Sequence, residues 1–123
     1  MKINKRDLQI IRKIIKYCIE IKMTHENFFN DKKLFCNKEK GFIYRNSISM
    51  PILQIGELVK NLSDNFKFEY NAVPWHEIAK IRDFFAHHYG TIDYDITWNT
   101  SQGDISELKN YLENINREVN NDE

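Results

Sequence analysis

An all-α bundle of four main helices joined by short helical turns is the architecture that this chain predicts, and three observations carry the prediction. Apolar residues recur at spacings of three and four through most of the chain and rarely alternate. No internal repeat and no Gly- or Ser-rich linker divides the sequence. With 123 residues and 41% apolar content, the chain is long enough for one buried core and too short for two, so residues 1–123 read as a single domain.

The first helix is expected from roughly Lys5 to Met23. Leu8, Ile11, Ile15 and Cys18 form one stripe, with Ile10, Ile14, Tyr17 and Ile21 beside it and Lys and Arg on the remaining face. Asn30, Asp31, Asn37 and Gly41 break the pattern, which predicts a Lys-rich loop with a short helical turn near Glu26 to Phe29. A second long helix carries Ile48, Ile52, Ile55, Val59 and Leu62 on one face. Pro51 suits a first turn capped by Ser49, yet Ile48 already lies on the stripe, which favours a longer helix kinked at Met50–Pro51. Asn61 to Val73 is rich in turn residues. Pro74 then opens a third helix with Trp75, Ile78, Ile81 and Phe85 on its buried face, ended by Gly90. Thr91 to Gly103 reads as irregular with a short turn near Asp95 to Asn99. Asp104 and Glu107 form a candidate capping box for a last helix whose stripe is Ile105, Leu108, Leu112, Ile115 and Val119.

Composition excludes several classes. An aromatic share of 13% is too high for a disordered tail, and the longest uncharged run, Asn46 to Gly56, is too short to span a bilayer. No apolar segment follows the basic start, which argues against a secretory signal. Cys18 and Cys36 make no disulfide framework and lie far from metal-ligand spacing, as suits a reducing cytoplasm. The 18 basic and 18 acidic side chains balance, but unevenly. Residues 1–45 hold 12 Lys or Arg against 5 Asp or Glu, and residues 46–123 hold 6 against 13, so a +7 portion precedes a −7 portion. Such a split points to nucleic acid or an acidic partner, or to charge pairing within the fold.

Chemistry is concentrated at the end of the third helix, Lys80-Ile81-Arg82-Asp83-Phe84-Phe85-Ala86-His87-His88-Tyr89-Gly90. On a helix Asp83 and His87 share a side, and Tyr89 returns to the face of Arg82 after seven residues. One helix end thus offers a guanidinium, a carboxylate, an imidazole and a phenol. Each also has a purely structural use: histidines near a helix C-terminus answer the dipole, and Arg82 can pair with a neighbouring carboxylate. Zinc fits poorly, since only the remote His25 and His76 add imidazoles outside the His87-His88 pair.

Arg82, His87 and Tyr89 reproduce the R-x4-H-x-Y pattern of the HepT-like toxins, members of the HEPN group of small helical ribonucleases. Further landmarks resemble that family: Leu8-Gln9-Ile10-Ile11 in a first helix that opens with Asp7, Ile55-Gly56-Glu57-Leu58 in the second long helix, Val73-Pro74-Trp75 before the motif helix, and Asp93 with Asp95-Ile96-Thr97-Trp98 after it. The resemblance spans roughly Asp7 to Ile115. Two features depart from the family pattern. Asp83 stands where Asn usually follows the motif Arg, and its charge would repel phosphate and favour protonated His87. Pro51 falls within a helix that normally begins well before it.

The resemblance implies a type VII toxin of a toxin–antitoxin system: a cytoplasmic, metal-independent endoribonuclease with no cofactor, acting as a homodimer whose paired motifs face one cleft. It implies that Arg82 and His87 are catalytic, with Asp83 orienting His87. It also implies a partner, an MntA-type minimal nucleotidyltransferase antitoxin that attaches AMP to the motif tyrosine, here Tyr89. The alternative is a non-catalytic HEPN helical partner or substrate-binding subunit of a nucleotidyltransferase. In the ribonuclease reading, the Lys-rich N-terminal portion, including Lys13, Lys16 and Lys32, is expected along the rim of the RNA cleft.

Overall fold

The computed structural model describes residues 3–88 and 93–122, and the side chains of residues 3–83 and 93–120. The elements in order are α1 (Lys5–Asn27), α2 (Lys32–Phe35), α3 (Phe42–Lys60), α4 (Asp64–Glu69), α5 (Trp75–His88), α6 (Tyr94–Asn99), a π-helical turn (Thr100–Asp104) and α7 (Ile105–Asp122). Among the described residues there is no strand, and no helix is long and apolar enough to cross a membrane. The long helices α1, α3, α5 and α7 are the four main helices that the periodicity predicts. Helix α3 packs against both α1 and α5, and α1 packs against α7.

The apolar stripes meet in one core. Ile11 and Ile14 of α1, Ile48 and Val59 of α3 and Leu112 of α7 are all fully buried. Burying each such side chain contributes roughly 1.5–3 kcal/mol before the entropy of ordering is counted. Helix α3 starts at Phe42 and runs through Pro51, the longer of the two expected helices, with Ser49 buried inside it rather than capping it. Polar stitches hold the periphery. On the α1–α7 seam, Arg12 donates to Asn116 and Asn120, at 3.0 Å each.

The first and fourth helices start at a shared knot. Asn4 caps α1 by accepting the Asp7 N–H at 2.7 Å, and its amide donates to the Asp7 carboxylate at 2.9 Å. That carboxylate is almost fully buried and also accepts the Ser63 N–H at 2.9 Å and the Ser63 hydroxyl at 2.5 Å. Ser63 in turn caps α4 through the Phe66 N–H. The Asp that opens the first helix is therefore a buried link between two helix starts, satisfied as a buried carboxylate must be.

Local structure departs from expectation at three places. Helix α1 continues to Asn27 and closes in a Schellman motif, in which Asn30 N–H bonds the His25 carbonyl and Phe29 N–H that of Glu26. Phe29 and Asn30 take left-handed φ values of 58° and 51°, so the expected turn at Glu26 to Phe29 is instead the end of α1 and its cap. The separate short helix lies later, at Lys32–Phe35. Second, the Asn61 to Val73 segment contains α4, whose Phe66 is fully buried. Third, Asp104 is no capping residue. It belongs to a π-helical turn that runs into α7 with helical backbone at Ile105 (φ −66°, ψ −39°), so α6 and α7 form one helical path without a fresh start.

The π turn has a partner in the core. His25, buried at the end of α1, bonds the Tyr44 hydroxyl through Nδ1 at 2.5 Å and the Ser101 hydroxyl through Nε2 at 2.9 Å. Ser101 spends its own hydrogen on the Trp98 carbonyl at 2.8 Å. Its oxygen must therefore accept from Nε2–H, which leaves Nδ1 as the acceptor of the Tyr44 O–H. The imidazole is neutral in this arrangement, and burial lowers its pKa to about 4. Burial likewise raises the Tyr44 hydroxyl to about 12. The rings of Phe28, Phe35 and Trp98 close around the pair, with Phe28 stacked on Tyr44 at 4.4 Å.

Candidate active site on helix α5

Helix α5 is aimed by its first residues. The Trp75 indole N–H donates to the Tyr70 carbonyl at 3.0 Å and its ring packs against Phe66, while Val73 is buried alongside. Pro74 sits just before the helix, its carbonyl accepting the Ile78 N–H. The Val-Pro-Trp sequence is thus an anchor at one end of a helix whose other end carries the motif.

Halfway along, α5 crosses α3 at Gly56. A Cβ built at Gly56 would collide with the Cβ of Arg82, so only glycine lets the two backbones approach this closely. The neighbouring Glu57 then meets the arginine that this approach brings in, with Oε2 3.1 Å from Arg82 Nε. Arg82 Nη1 lies 3.4 Å from Asp83 Oδ1, and Lys60 Nζ reaches the same oxygen at 2.6 Å. Four charged side chains from two helices form one web, each between about a third and a half exposed. The Lys60 hydrogen bond, helped by Arg82, holds the Asp83 carboxyl below its ordinary range.

Of the four site residues expected from sequence, the structure brings Arg82 and Asp83 together. His87 lies within the α5 backbone, four residues beyond Asp83, but its side chain falls outside the described residues, as does that of Phe85. Tyr89 and Gly90 lie wholly outside them. Glu57 and Lys60 were not expected as members of the site. Glu57 was visible only as part of a landmark, and nothing local marked Lys60, because it contacts Asp83 across 23 residues of chain. Of the lysines expected along a basic rim, Lys32 pairs with Asp95 at 3.2 Å. Among the described residues, no three His, Cys, Asp or Glu side chains gather as a set of metal ligands.

What the web can do follows from its exposure. A guanidinium held by a carboxylate behind it and open to solvent in front keeps planar N–H donors for an incoming anion, in the geometry that suits a phosphate. The remaining landmarks have structural roles: Asp93 caps α6 through the Asp95 and Ile96 N–H groups, and Trp98 inserts between His25 and Phe35.

Residues 8–115 match the family model described as Ribonuclease HepT-like. The chain is 34% identical over 103 residues to a protein of Methanocaldococcus jannaschii provisionally named an RNase, covering 80% of this chain and 77% of that one. It is 32% identical over 94 residues to a provisionally named ribonuclease HepT of Thermococcus cleftensis, covering 76% and 80%. A further Methanocaldococcus jannaschii protein, also provisionally named an RNase, is 27% identical over 121 residues, covering 94% and 92%. No solved structure matches significantly. With residues 8–115 matched by that model and two relatives above 30% identity covered over most of their length, the chain belongs to the HepT-like ribonuclease family.

Proposed function

We propose that this protein is the toxin of a type VII toxin–antitoxin pair and cleaves RNA without a metal ion. The observation that carries the reading is the partly exposed Arg82 side chain, paired with Glu57 of α3 and borne by α5, the helix that also bears His87. In this mechanism His87 removes the proton of a ribose 2′-hydroxyl, and the oxygen attacks the adjacent phosphorus. The 5′ oxygen leaves with a proton, giving a 2′,3′-cyclic phosphate and a 5′-hydroxyl end. Arg82 stabilises the charge that develops on the phosphorane oxygens. Asp83 orients His87 through the four-residue spacing. Its charge opposes the incoming phosphate, an effect that its contacts with Lys60 and Arg82 offset. Two copies of the motif, one from each protomer of a cytoplasmic homodimer, line the cleft.

In the same reading, Tyr89 accepts AMP from an MntA-type nucleotidyltransferase antitoxin. The added phosphate would compete with RNA for Arg82 by charge and bulk. The competing reading, a non-catalytic partner of the transferase, draws on the two carboxylates that already engage Arg82.

Purified protein incubated with RNA in excess EDTA distinguishes them. Cleavage that leaves cyclic phosphate ends and is lost in His87→Ala is expected. RNA left intact by the wild type, or cut equally by His87→Ala, refutes the ribonuclease reading. With the transferase and ATP, intact mass is expected to rise in whole AMP increments and to stay fixed in Tyr89→Phe. A rise that persists in Tyr89→Phe refutes the modification site.

A further inference from the structure

Beside the Arg82 web lies a surface groove of about 700 Å³, lined by Lys60, Lys67, Asn71, His76, Glu77, Lys80 and Asp83 with an apolar floor that includes Val73 and Trp75. Its lysines come from three elements: Lys60 ends α3, Lys67 lies on α4 and Lys80 on α5. Residues 46–123 hold only six Lys or Arg, namely Lys60, Lys67, Lys80, Arg82, Lys109 and Arg117. Three of the six line this groove and a fourth, Arg82, adjoins it through Asp83. In the acid-rich part of the chain, positive charge is thus gathered where the groove meets the motif. Neither Lys13, Lys16 nor Lys32, the expected rim, lines it.

The geometry points to this groove as the track for the RNA backbone on one side of the scissile bond. The inference rests on the ribonuclease reading and adds to it where the strand lies. Lys60 and Asp83 largely neutralise each other, which leaves the ammonium groups of Lys67 and Lys80 against the single carboxylate of Glu77. Point charges of this kind hold phosphates without reading sequence. The exposed His76 and Asn71 offer a stacking face and amide donors to an unpaired base or ribose, so a single strand suits the groove better than a duplex. Asp83, which lines the groove, also touches Arg82, so a strand held by Lys80 and Lys67 would run toward the guanidinium.

The test uses the full-length protein and a single-stranded oligoribonucleotide with 2′-O-methyl groups at every sugar, which lacks the attacking hydroxyl and cannot be cut. Binding is followed by fluorescence anisotropy across a salt series. Lys67→Ala/Lys80→Ala is expected to weaken binding at least fivefold and to flatten the salt dependence by about 1.4, since each lost contact to a single strand removes about 0.7 from the slope. Lys67→Arg/Lys80→Arg is expected to retain wild-type affinity, and Lys38→Ala/Lys40→Ala, which removes as much charge from the α2–α3 loop, to stay within twofold. Helical circular dichroism reports that each variant is folded. Wild-type affinity and slope in the double alanine variant overturn the groove, as does an equal loss in the loop variant or a failure of the wild type to bind. Failure of the underlying reading looks different: unmodified RNA survives the wild type although the methylated strand binds and the groove variant releases it.

Discussion

Around Arg82, four charged side chains share a surface left between a third and a half exposed, whereas around His25 three neutral groups are sealed among aromatic rings. Solvent separates the two regions physically. In the wet web, each ion pair contributes little to stability because water screens it and long side chains must be ordered to form it. The charges remain available to a ligand for the same reason. In the dry chain from Tyr44 through His25 to Ser101, every donor has one acceptor, and an uncompensated change leaves a polar group buried without a partner. Under the proposed ribonuclease function, stability and chemistry are then carried by different polar networks at different places in the bundle.

The largest expected effect breaks the dry side. Tyr44→Ala removes a fully buried ring stacked on Phe28 and frees His25 Nδ1, and is expected to cost about 3–5 kcal/mol in urea unfolding. Loss of under about 1 kcal/mol would show that the ring cluster is not a core element.

Acid acts on the same place. The His25 pKa falls from 6.5 to about 4 on folding, so the unfolded chain binds a proton that the folded chain refuses. Its contribution is intact above pH 6.5 and declines as pH falls toward 4, by about 3 kcal/mol in total. Urea titrations at pH 7 and pH 4.5 are expected to show that decline shrink in His25→Gln relative to its own value at pH 7.

Between the two regions lies Gly56→Ala, which forces α3 and α5 apart at Arg82 and is expected to cost about 1–3 kcal/mol while also lowering RNA cleavage. A variant that loses neither would mean that the crossing relaxes freely.

The smallest structural effect belongs to the wet web. Asp83→Asn is expected to shift Tm by no more than about 2 °C, because a solvent-exposed pair contributes little. It is also expected to lower the KM for RNA about fivefold, since one negative charge leaves the phosphate site. A large fall in Tm with unchanged KM would place the web among the stabilising elements and erase the contrast.

The long helices were legible because each buries a stripe at helical spacing, and periodicity reports burial directly. Arg82 and Asp83 were legible as neighbours because they are adjacent on such a helix. The dry chain was not: His25, Tyr44 and Ser101 are spread over 76 residues, and His25 read only as a remote histidine. The π turn was hidden because Thr-Ser-Gln-Gly-Asp is ordinary turn composition, and only tertiary packing draws it into a helix. Helix α4 is too short for periodicity, though Ser63 three residues before Phe66 carried a capping signal. Glu57 was marked by its place beside Gly56, but the reason, a backbone crossing that presents Arg82 to it, exists only in three dimensions.

The pairing of α1 with α7 has a consequence for how the protein is made. The stripe of the first helix is covered in part by the last, and Leu112, Leu108 and Ile115 are missing from the core until about a hundred further residues have left the ribosome. At about 5–20 residues per second, translation leaves α1 without that cover for roughly 5–20 s. The core then closes only when α7, the last of the described helices, has emerged, and until that moment part of the apolar stripe of α1 stays open to solvent and to chaperones.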